Sequence, residues 1–485
     1  MNRSVLNNLL FIVFIGLLCQ CNTPAKETAA KPKPRLDALQ LKSVKPSSLG
    51  IDTMPLYYTF EPLQLNCPIP ALQSFVFAHA NGYWIFIGGE KKGFHGTDND
   101  PPPFKAKVAN DSIWVIDPGG QHSWSTVVPS SLSMVLSATN AAYTQNGQSL
   151  YICGGYTRSD PDAPNFNTTS NTFLEINLSA LIGYVQTGGN GNPLSSVITK
   201  QIQSPYVQVT GGALMQVGSY FYLIGGQNYN AEYNAGTTGD YTNAIRRFSL
   251  QQQGGNWVIA DTASLIDPVN LHRRDMNVVP GPGSNNFDAV LYGGVFTKND
   301  LAYRNAVFIG GLTTGNPTIS IDSTEQMANQ YTCAFATYAT SAYSLVFTSF
   351  FGGISYEIYN KDSGRIVVGD QGVPMPFSNI VSTVVSDGVH GSYELLQVPP
   401  AGPLLPGYIG ANACFIPVPA FEMQNRAGLL DLDKINSDTT YKCHIGYLFG
   451  GIVSDGPTSG TTPDKYVPTY ANPVLYKVYL NFPPM

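Results

Sequence analysis

The sequence predicts an all-β protein whose folded part is a β-propeller of six blades. Three observations lead to this prediction. Apolar, aromatic-rich runs end in a Gly-Gly pair six times; glycine, proline and tyrosine are abundant, with 48, 35 and 28 residues; and charged residues make up only 12% of the chain. This composition favours many short strands joined by turns over long helices. A repeat that is longer than a hairpin and built from strands alone is typical of a propeller.

The repeated unit is a strand that ends in two glycines. The pairs are Gly88-Gly89, Gly154-Gly155, Gly225-Gly226, Gly293-Gly294, Gly352-Gly353 and Gly450-Gly451. Glycine lets the chain leave a buried strand where a side chain would collide with a neighbouring blade. These residues resemble the kelch repeat, whose second strand ends in an apolar run followed by Gly-Gly. The resemblance implies a kelch-type propeller over residues 51–485.

The last blade lacks a strand of its own. Four strands can be assigned in each of the first five blades, but the sixth offers only Ala413–Ile416, Ile445–Phe449 and Val474–Leu480. The segment Pro55–Glu61 precedes blade 1 and has no other partner. We therefore predict that this N-terminal segment is the outer strand of blade 6 and closes the ring, which removes a weak seam between the chain ends.

Residues 1–21 have the features of an export signal. Arg3 supplies a positive charge, and the apolar run from Leu9 to Leu18 is too short to span a bilayer. The run ends in Leu-Cys-Gln-Cys, which resembles the lipobox of bacterial lipoproteins and implies lipidation of Cys21, with Cys19 as the alternative. A cleaved signal without a lipid is the other interpretation.

Residues 22–50 are rich in proline, lysine and alanine and predict a flexible tether. Neither candidate lipidation cysteine is followed by aspartate, which in some bacteria signals retention at the inner membrane. We therefore expect a lipid-anchored protein of the outer membrane, on its periplasmic or cell-surface side.

The candidate ligand-binding residues lie on loops that leave second strands or enter first strands. In a propeller these loops share one face, around the mouth of the central channel. The candidates are Gln73, His95, Asn140, Tyr156, Gln227, His272, Arg273, Arg274, Asp275 and Glu357. The arginines and Asp275 could hold a carboxylate or a sugar through charge-assisted hydrogen bonds. Alternatively, one arginine braces neighbouring blades by bonding loop carbonyls, with Asp275 as its partner.

Three segments resemble a family of secreted kelch-like proteins of Gram-negative bacteria that has no assigned activity. They are LHRRDMNVVP (271–280), YTNAIRRFSL (241–250) and LQSFVFAHANGYWIFIGG (72–89). In that family the first blade continues with a Leu-His-Arg-Arg type of loop. This chain has GFHGTDNDPPPF there, which keeps His95 and lacks the arginines.

The sequence contains no complete catalytic constellation. It has no nucleophile elbow, P-loop or dinucleotide fingerprint, and the five cysteines after residue 50 form no CxxC pair, so we expect neither a metal nor a cofactor. The sequence leaves open whether two of Cys67, Cys333, Cys414 and Cys443 form a disulfide. The six histidines are scattered, unlike the copper site of galactose oxidase, another kelch protein. The net charge of −6 and the lack of a basic patch argue against a nucleic-acid partner.

The leading hypothesis is a non-catalytic binding or scaffold lipoprotein of the envelope, whose partner is a glycan or an envelope protein at the propeller mouth. The alternative is a mutarotase or epimerase for an acidic sugar, by analogy with the six-bladed sialic acid mutarotase. In that case Arg273 or Arg274 would hold a carboxylate, and Asp275 or Glu357 would act as acid and base.

Overall fold

The computed structural model describes most of the chain after residue 55. The described residues are 56–94, 104, 108–158, 167–191, 193–233, 239–282, 287–297, 301–339, 346–368, 375–386, 392–400, 402–423, 428–437, 442–458 and 467–482. Cys19, Cys21 and His95 lie outside these residues, as do the predicted signal and tether.

Six antiparallel sheets form the blades of a β-propeller, as the sequence predicts. The strands of the first three blades are Val76–Ala80, Tyr83–Ile87, Ser112–Asp117 and His122–Val127; Ala142–Asn146, Ser149–Cys153, Thr172–Asn177 and Ile198–Gln203; and Ala213–Val217, Tyr220–Ile224, Ala244–Gln253 and Asn256–Ile266. Those of the other three are Asn277–Pro280, Phe287–Tyr292, Asn305–Gly310 and Thr318–Glu325; Ala334–Ala339, Val346–Phe351, Val381–Ser386 and Ser392–Gln397; and Tyr408–Pro417, Lys442–Ser454, Leu475–Asn481 and Tyr57–Leu63.

The remaining elements are short. Small hairpins pair Tyr156–Arg158 with Asn167–Thr169, Gln227–Asn228 with Asp240–Tyr241, and Glu357–Asn360 with Arg365–Val368, while Thr469–Ala471 adds to blade 6. Among the described residues, the α-helices are Ser133–Leu136, Leu178–Gln186 and Leu432–Ser437, and the 3-10 turns are Ser130–Leu132, Leu194–Ser196, Pro205–Val207 and Pro419–Phe421. Within the described part of the chain, no helix is long and apolar enough to cross a membrane.

The Gly-Gly pairs are the points at which each blade touches the next one. The first glycine of every pair has a φ between 59° and 67°. A Cβ on it would lie only 1.9 to 2.7 Å from a carbonyl oxygen of the next blade. The N–H of the second glycine donates to that same carbonyl, at 2.7 to 2.9 Å. Glycine is therefore required here by a backbone contact between blades as well as by its positive φ.

A second circle of bonds surrounds the axis. We call its members the axial ring: Ser74, Asn140, Gly211, Asp275, Thr332 and Asn412. Each N–H donates to the carbonyl of the equivalent residue in the preceding blade, at 2.7 to 3.3 Å, and the bond from Ser74 to Asn412 completes the circle. The axial ring brings the starts of all six first strands together at the channel mouth.

The N-terminal strand closes the ring, as predicted. Tyr57–Leu63 pairs antiparallel with Leu475–Asn481, so the strand begins two residues later than the predicted segment Pro55–Glu61. Tyr58 is fully buried, and its phenol donates to Ser349 of blade 5 at 2.7 Å. Its N–H donates to Gln397 of the same blade at 2.6 Å. The closing strand therefore stabilises the junction between blades 5 and 6 as well as the last sheet.

The insertion between the first two strands of blade 6 returns to the channel. Its strand Leu429–Asp431 pairs in parallel with Ala334–Ala339, the first strand of blade 5, and the helix Leu432–Ser437 follows. We call the described residues 418–423 and 428–437 the channel insert. The pairing could not be predicted, because nothing local in a three-residue strand specifies a distant parallel partner.

Replacing Gly154 by alanine tests the contact between blades, with Gly147 as a matched control. Both glycines have a positive φ, but a Cβ at Gly147 would meet nothing within 4 Å, whereas one at Gly154 would lie 1.9 Å from the Val209 oxygen. We expect Gly147→Ala to lower the free energy of unfolding by about 1 kcal/mol. Gly154→Ala should lower it by roughly 1–3 kcal/mol more. Urea unfolding measures both values, and equal losses would contradict the contact.

Candidate functional site

Arg273 is buried within the propeller and is not exposed at the mouth. Its side chain is 1% exposed. Nε donates to the Asn270 carbonyl at 2.7 Å, and Nη1 donates to the Gly293 and Asn305 carbonyls, both at 2.9 Å. The guanidinium also lies 4.2 Å from the Tyr303 ring centroid. Burial lowers the pKa of Arg273 to about 10. Arg273 therefore has a bracing role, but it ties blade 4 to the segment entering that blade, whereas the sequence predicted a brace between neighbouring blades.

Arg274 and Asp275 form a largely buried ion pair beside the axial ring. Nε of Arg274 lies 3.6 Å from Oδ2 of Asp275, and the two side chains are 11% and 8% exposed. Asp275 is therefore the partner of Arg274 and not of the bracing Arg273. Tyr331 hydrogen-bonds the Asp275 carboxyl, and burial raises the pKa of Asp275 to about 6 against the opposing effects of Arg274 and Tyr331.

The guanidinium of Arg274 lies among aromatic side chains. Burial disfavours its charge, but Asp275 and the neighbouring tyrosines 241, 233 and 331 give Arg274 a raised pKa. Tyr233 hydrogen-bonds Arg274, whose Cζ lies 5.1 Å from the Phe296 ring centroid. The buried Nε of Arg274 has no hydrogen-bond partner within the described residues. The site thus holds a charged group with an unused donor.

The aromatic contacts continue around the mouth from blade 1 to blade 4. We call this set the aromatic rim: Phe104, Tyr156, Tyr229, Tyr233, Tyr241 and Phe296. Ring centroids are 5.1 Å apart for Phe104 and Tyr156, 5.6 Å for Tyr156 and Tyr229, and 6.0 Å for Tyr229 and Tyr233. The Phe296 N–H donates to the Tyr241 hydroxyl at 3.3 Å. Tyr156 and Tyr229 are buried, whereas the other four members of the rim are partly exposed.

Gln73 hydrogen-bonds the buried carboxyl of Glu90, which the sequence pattern did not indicate. Gln73 Nε2 donates to Glu90 Oε2 at 3.1 Å, and the Phe104 N–H donates to Glu90 Oε1 at 2.6 Å. Asn412 Nδ2 donates to Gln73 Oε1 at 3.0 Å. Burial raises the pKa of Glu90 to about 7, although the Phe104 bond and Lys92 lower it. Glu90 directly follows the first Gly-Gly pair, the position that Tyr156 and Gln227 occupy in later blades.

Three of the candidates make hydrogen bonds that hold the scaffold around the mouth: Asn140, Tyr156 and Gln227. Asn140 belongs to the axial ring and is partly exposed. The Tyr156 hydroxyl donates to the Ala231 carbonyl at 2.6 Å, and burial raises its pKa. Gln227 is 2% exposed, and its Oε1 accepts from the Gly239 N–H at 2.9 Å. Gln227 therefore holds its own hairpin together.

His272 and Glu357 contact residues other than Arg274 and Asp275. His272 Nδ1 lies 2.7 Å from Asn243 Oδ1, and its ring stacks on Tyr241 with centroids 3.9 Å apart. Glu357 lies 3.5 Å from Arg304, which lowers its pKa, but burial outweighs this effect and raises the pKa overall. Glu357 is thus part of a different ion pair.

The described residues contain no group of three or more His, Cys, Asp or Glu side chains that could hold a metal ion. The five cysteines after residue 50 are all free, so the disulfide left open by the sequence does not form in this structure.

Comparison with known proteins adds little to this geometry. No protein-family model and no curated protein match the chain. A solved structure described as "Structure of YjhT" is 12% identical, has a TM-score of 0.43, and covers 83% of this chain and 98% of its own. A likeness at this level does not extend to function. What the site can bind or do must therefore be inferred from its own residues.

Titration of Asp275 should make stability depend on pH. Because its folded-state pKa of about 6 exceeds the ordinary value of 3.8, the folded protein binds this proton more tightly than the unfolded chain does. Stability from this group is fully present below pH ~4 and is lost as pH rises through ~6, by about 3 kcal/mol. Asp275→Asn keeps the side-chain shape and should remove this loss.

Urea unfolding between pH 4 and 8 measures the effect. The comparison variant is Glu90→Gln. Burial raises the pKa of Glu90 to about 7 from its ordinary value of 4.5, so this variant should remove the part of the stability loss that occurs between those two pH values. An Asp275→Asn variant whose stability falls with pH as steeply as that of the wild type would contradict the assignment.

Proposed function

We propose that this protein is a non-catalytic glycan-binding module that takes a carboxylate-bearing sugar at the propeller mouth. The observation that carries the proposal is the Nε of Arg274, which is buried beside the axial ring and has no hydrogen-bond partner among the described residues. Oδ2 of Asp275 lies 3.6 Å from this nitrogen, beyond hydrogen-bond distance. A buried charged donor that makes no hydrogen bond costs free energy, and a ligand carboxylate would relieve that cost. Arginine is suited to this role because its planar fork matches a carboxylate.

The surroundings of Arg274 suit a sugar. Five of the six axial-ring residues have polar side chains, which offer hydrogen-bond partners to hydroxyl groups. The four partly exposed rings of the aromatic rim supply flat apolar surfaces for the carbon faces of a sugar ring. Polar groups at the centre and aromatic rings around them are the combination that a polar ligand with apolar faces requires.

Asp275 sets a condition for this binding. A ligand carboxylate would compete with the Asp275 carboxylate for Arg274, and two like charges side by side disfavour each other. Binding of an acidic sugar should therefore be linked to protonation of Asp275, whose raised pKa of about 6 makes that proton accessible near neutral pH.

The same carboxyl supports the second candidate, a sugar mutarotase. An acid or base with a pKa near 6, next to Tyr331 and Arg274, could move a proton during ring opening. The binding proposal is preferred because it needs only the geometry of Arg274, whereas catalysis also needs a second proton-transfer group placed on the opposite side of the sugar.

NMR titration with N-acetylneuraminate, glucuronate, galacturonate and glucose tests the function. We expect at least one acidic sugar to bind, with glucose at least about tenfold weaker because it lacks the carboxylate. Arg274→Gln should weaken binding of the acidic sugar about tenfold or more, while Asp275→Asn should tighten it and remove its dependence on pH. Lys434→Ala, which removes an exposed positive charge from the channel insert, is the control and should bind like the wild type.

The outcomes separate the two candidates. Equal binding of acidic and neutral sugars, or full binding by Arg274→Gln, would contradict the role of Arg274. The same spectra report exchange between anomers, and accelerated exchange that Asp275→Asn abolishes would replace the binding module with the mutarotase.

We also propose that the propeller is displayed on the outer membrane by a lipid on Cys21. The support is the sequence pattern alone: a short apolar run, a leucine three residues before Cys21, and a tether of about 29 residues rich in proline and lysine. An anchored propeller on a flexible tether could bind glycans of the envelope or of neighbouring cells.

Metabolic labelling with an alkyne analogue of palmitate in a Gram-negative host tests the anchor. Cys21→Ser should abolish labelling, and Cys19→Ser should leave it intact. The reverse pattern would move the lipid to Cys19, and an unlabelled wild-type protein would indicate a simple cleaved signal.

A further inference from the structure

A cavity of about 230 Å³ lies in the central channel, at the first strands of the blades. Its wall comes from blades 1, 2, 5 and 6, together with the channel insert, and includes Thr332 of the axial ring. Apart from Thr332, the lining residues are ones that the Arg274 site does not use. By comparison with an apolar cavity of about 150 Å³ that holds benzene, it has room for roughly ten non-hydrogen atoms.

The channel insert covers the end of the cavity away from the axial ring. Its strand pairs with the second half of Ala334–Ala339, where Thr337 is opposite Leu429. A Cβ at Gly428 would lie 3.6 Å from Pro280, the last residue of the first strand of blade 4. The insert therefore contacts first strands at their far ends, and the cavity lies between this cover and the axial ring.

The walls of the cavity are aromatic, and among the described residues they carry a single charged side chain. The rings are those of Phe77, Tyr143, Phe335 and Phe415, and the charge is that of Glu422 on the insert. No lysine, arginine or histidine is among the described lining residues. His79, 3.7 Å from the Glu422 carboxylate, lies outside this lining. An anionic ligand would thus meet a carboxylate and no cation of the cavity wall, whereas a cation would meet a carboxylate and the negative faces of aromatic rings.

Glu422 also connects the cavity to the surface. Its Oε1 lies 3.7 Å from Nε2 of His79, on the first strand of blade 1, and the two side chains are 26% and 36% exposed. The carboxylate is therefore at the boundary between cavity and solvent. A ligand ammonium placed there keeps part of its hydration while its apolar body enters the cavity.

We propose that the central channel is a second binding site, for a small aromatic amine, with the ammonium at Glu422 and the ring among Phe77, Phe335 and Phe415. This site is separate from the glycan site at the mouth, and it does not depend on that proposal. The cavity volume limits the ligand to one ring with a short side chain.

Three probes of the same size and different charge test the proposal on the full propeller: benzylamine, benzyl alcohol and benzoate. Calorimetry or ligand-observed NMR should show that benzylamine binds about tenfold tighter than benzyl alcohol and that benzoate is weakest. Glu422→Gln should bring benzylamine to the affinity of benzyl alcohol, whose own binding should not change. Arg274→Gln should leave benzylamine binding unchanged. The experiment therefore distinguishes a wrong proposal for the sugar site at the mouth from a wrong proposal for the amine site in the channel.

Filling the cavity provides the steric test. Ala336→Leu should weaken benzylamine and benzyl alcohol together by about tenfold or more, since the added carbons occupy the volume of the ring. Ala413→Val tests the opposite wall if the first variant unfolds, and thermal unfolding shows which variants are folded. Both alanines line the cavity.

Cys414 locates the probe within the protein, because this partly exposed residue lines the cavity. Burial raises the pKa of its thiol well above the ordinary value, so modification of the thiol is followed at alkaline pH, where more thiolate is present. Benzylamine should slow its modification by methyl methanethiosulfonate, read by mass spectrometry of peptides, and leave the modification of the partly accessible Cys67 unchanged. Equal affinity for benzoate and benzylamine, unaltered binding by folded filling variants, unprotected Cys414, or no binding of benzylamine would each overturn the proposal.

Discussion

The whole structure depends on the backbone junction between adjacent blades. At each junction the second glycine of a pair donates its N–H to a carbonyl of the next blade, and the first glycine lies so close to that carbonyl that a Cβ could not fit. The axial ring adds one more bond per junction. Because all six junctions are main-chain contacts, side chains nearby can vary for function without opening the ring.

The junction also explains why neighbouring residues have different roles. The Arg273 carbonyl accepts the bond from Gly226, and its side chain braces the carbonyls of blade 4. One residue later, Arg274 lies against Phe296 of the aromatic rim, and Asp275 has a positive φ of 52°, as four other axial-ring residues do. Two adjacent arginines thus have different surroundings, because their side chains leave the backbone in different directions.

The central channel has a different chemistry at each end. At the mouth lie the polar axial ring and a cation, Arg274, whereas the far end is covered by an insert whose Glu422 carries negative charge. The two proposed ligands follow from this difference, since an acidic sugar and an aromatic amine would each meet a complementary charge. One channel could therefore hold two sites that exclude each other's ligand.

Much of the architecture is encoded locally and was predictable from the sequence alone. The glycine pairs mark the blades, and the missing strand of blade 6 identifies its N-terminal replacement, because strand periodicity and glycine geometry depend on near neighbours in the chain. Only the tertiary structure decided that Arg273 braces carbonyls while Arg274 pairs with Asp275, that Glu90 is buried beside Gln73, and that the insert pairs with blade 5. These arrangements depend on contacts between residues far apart in sequence, and no local pattern specifies which distant groups a side chain will meet.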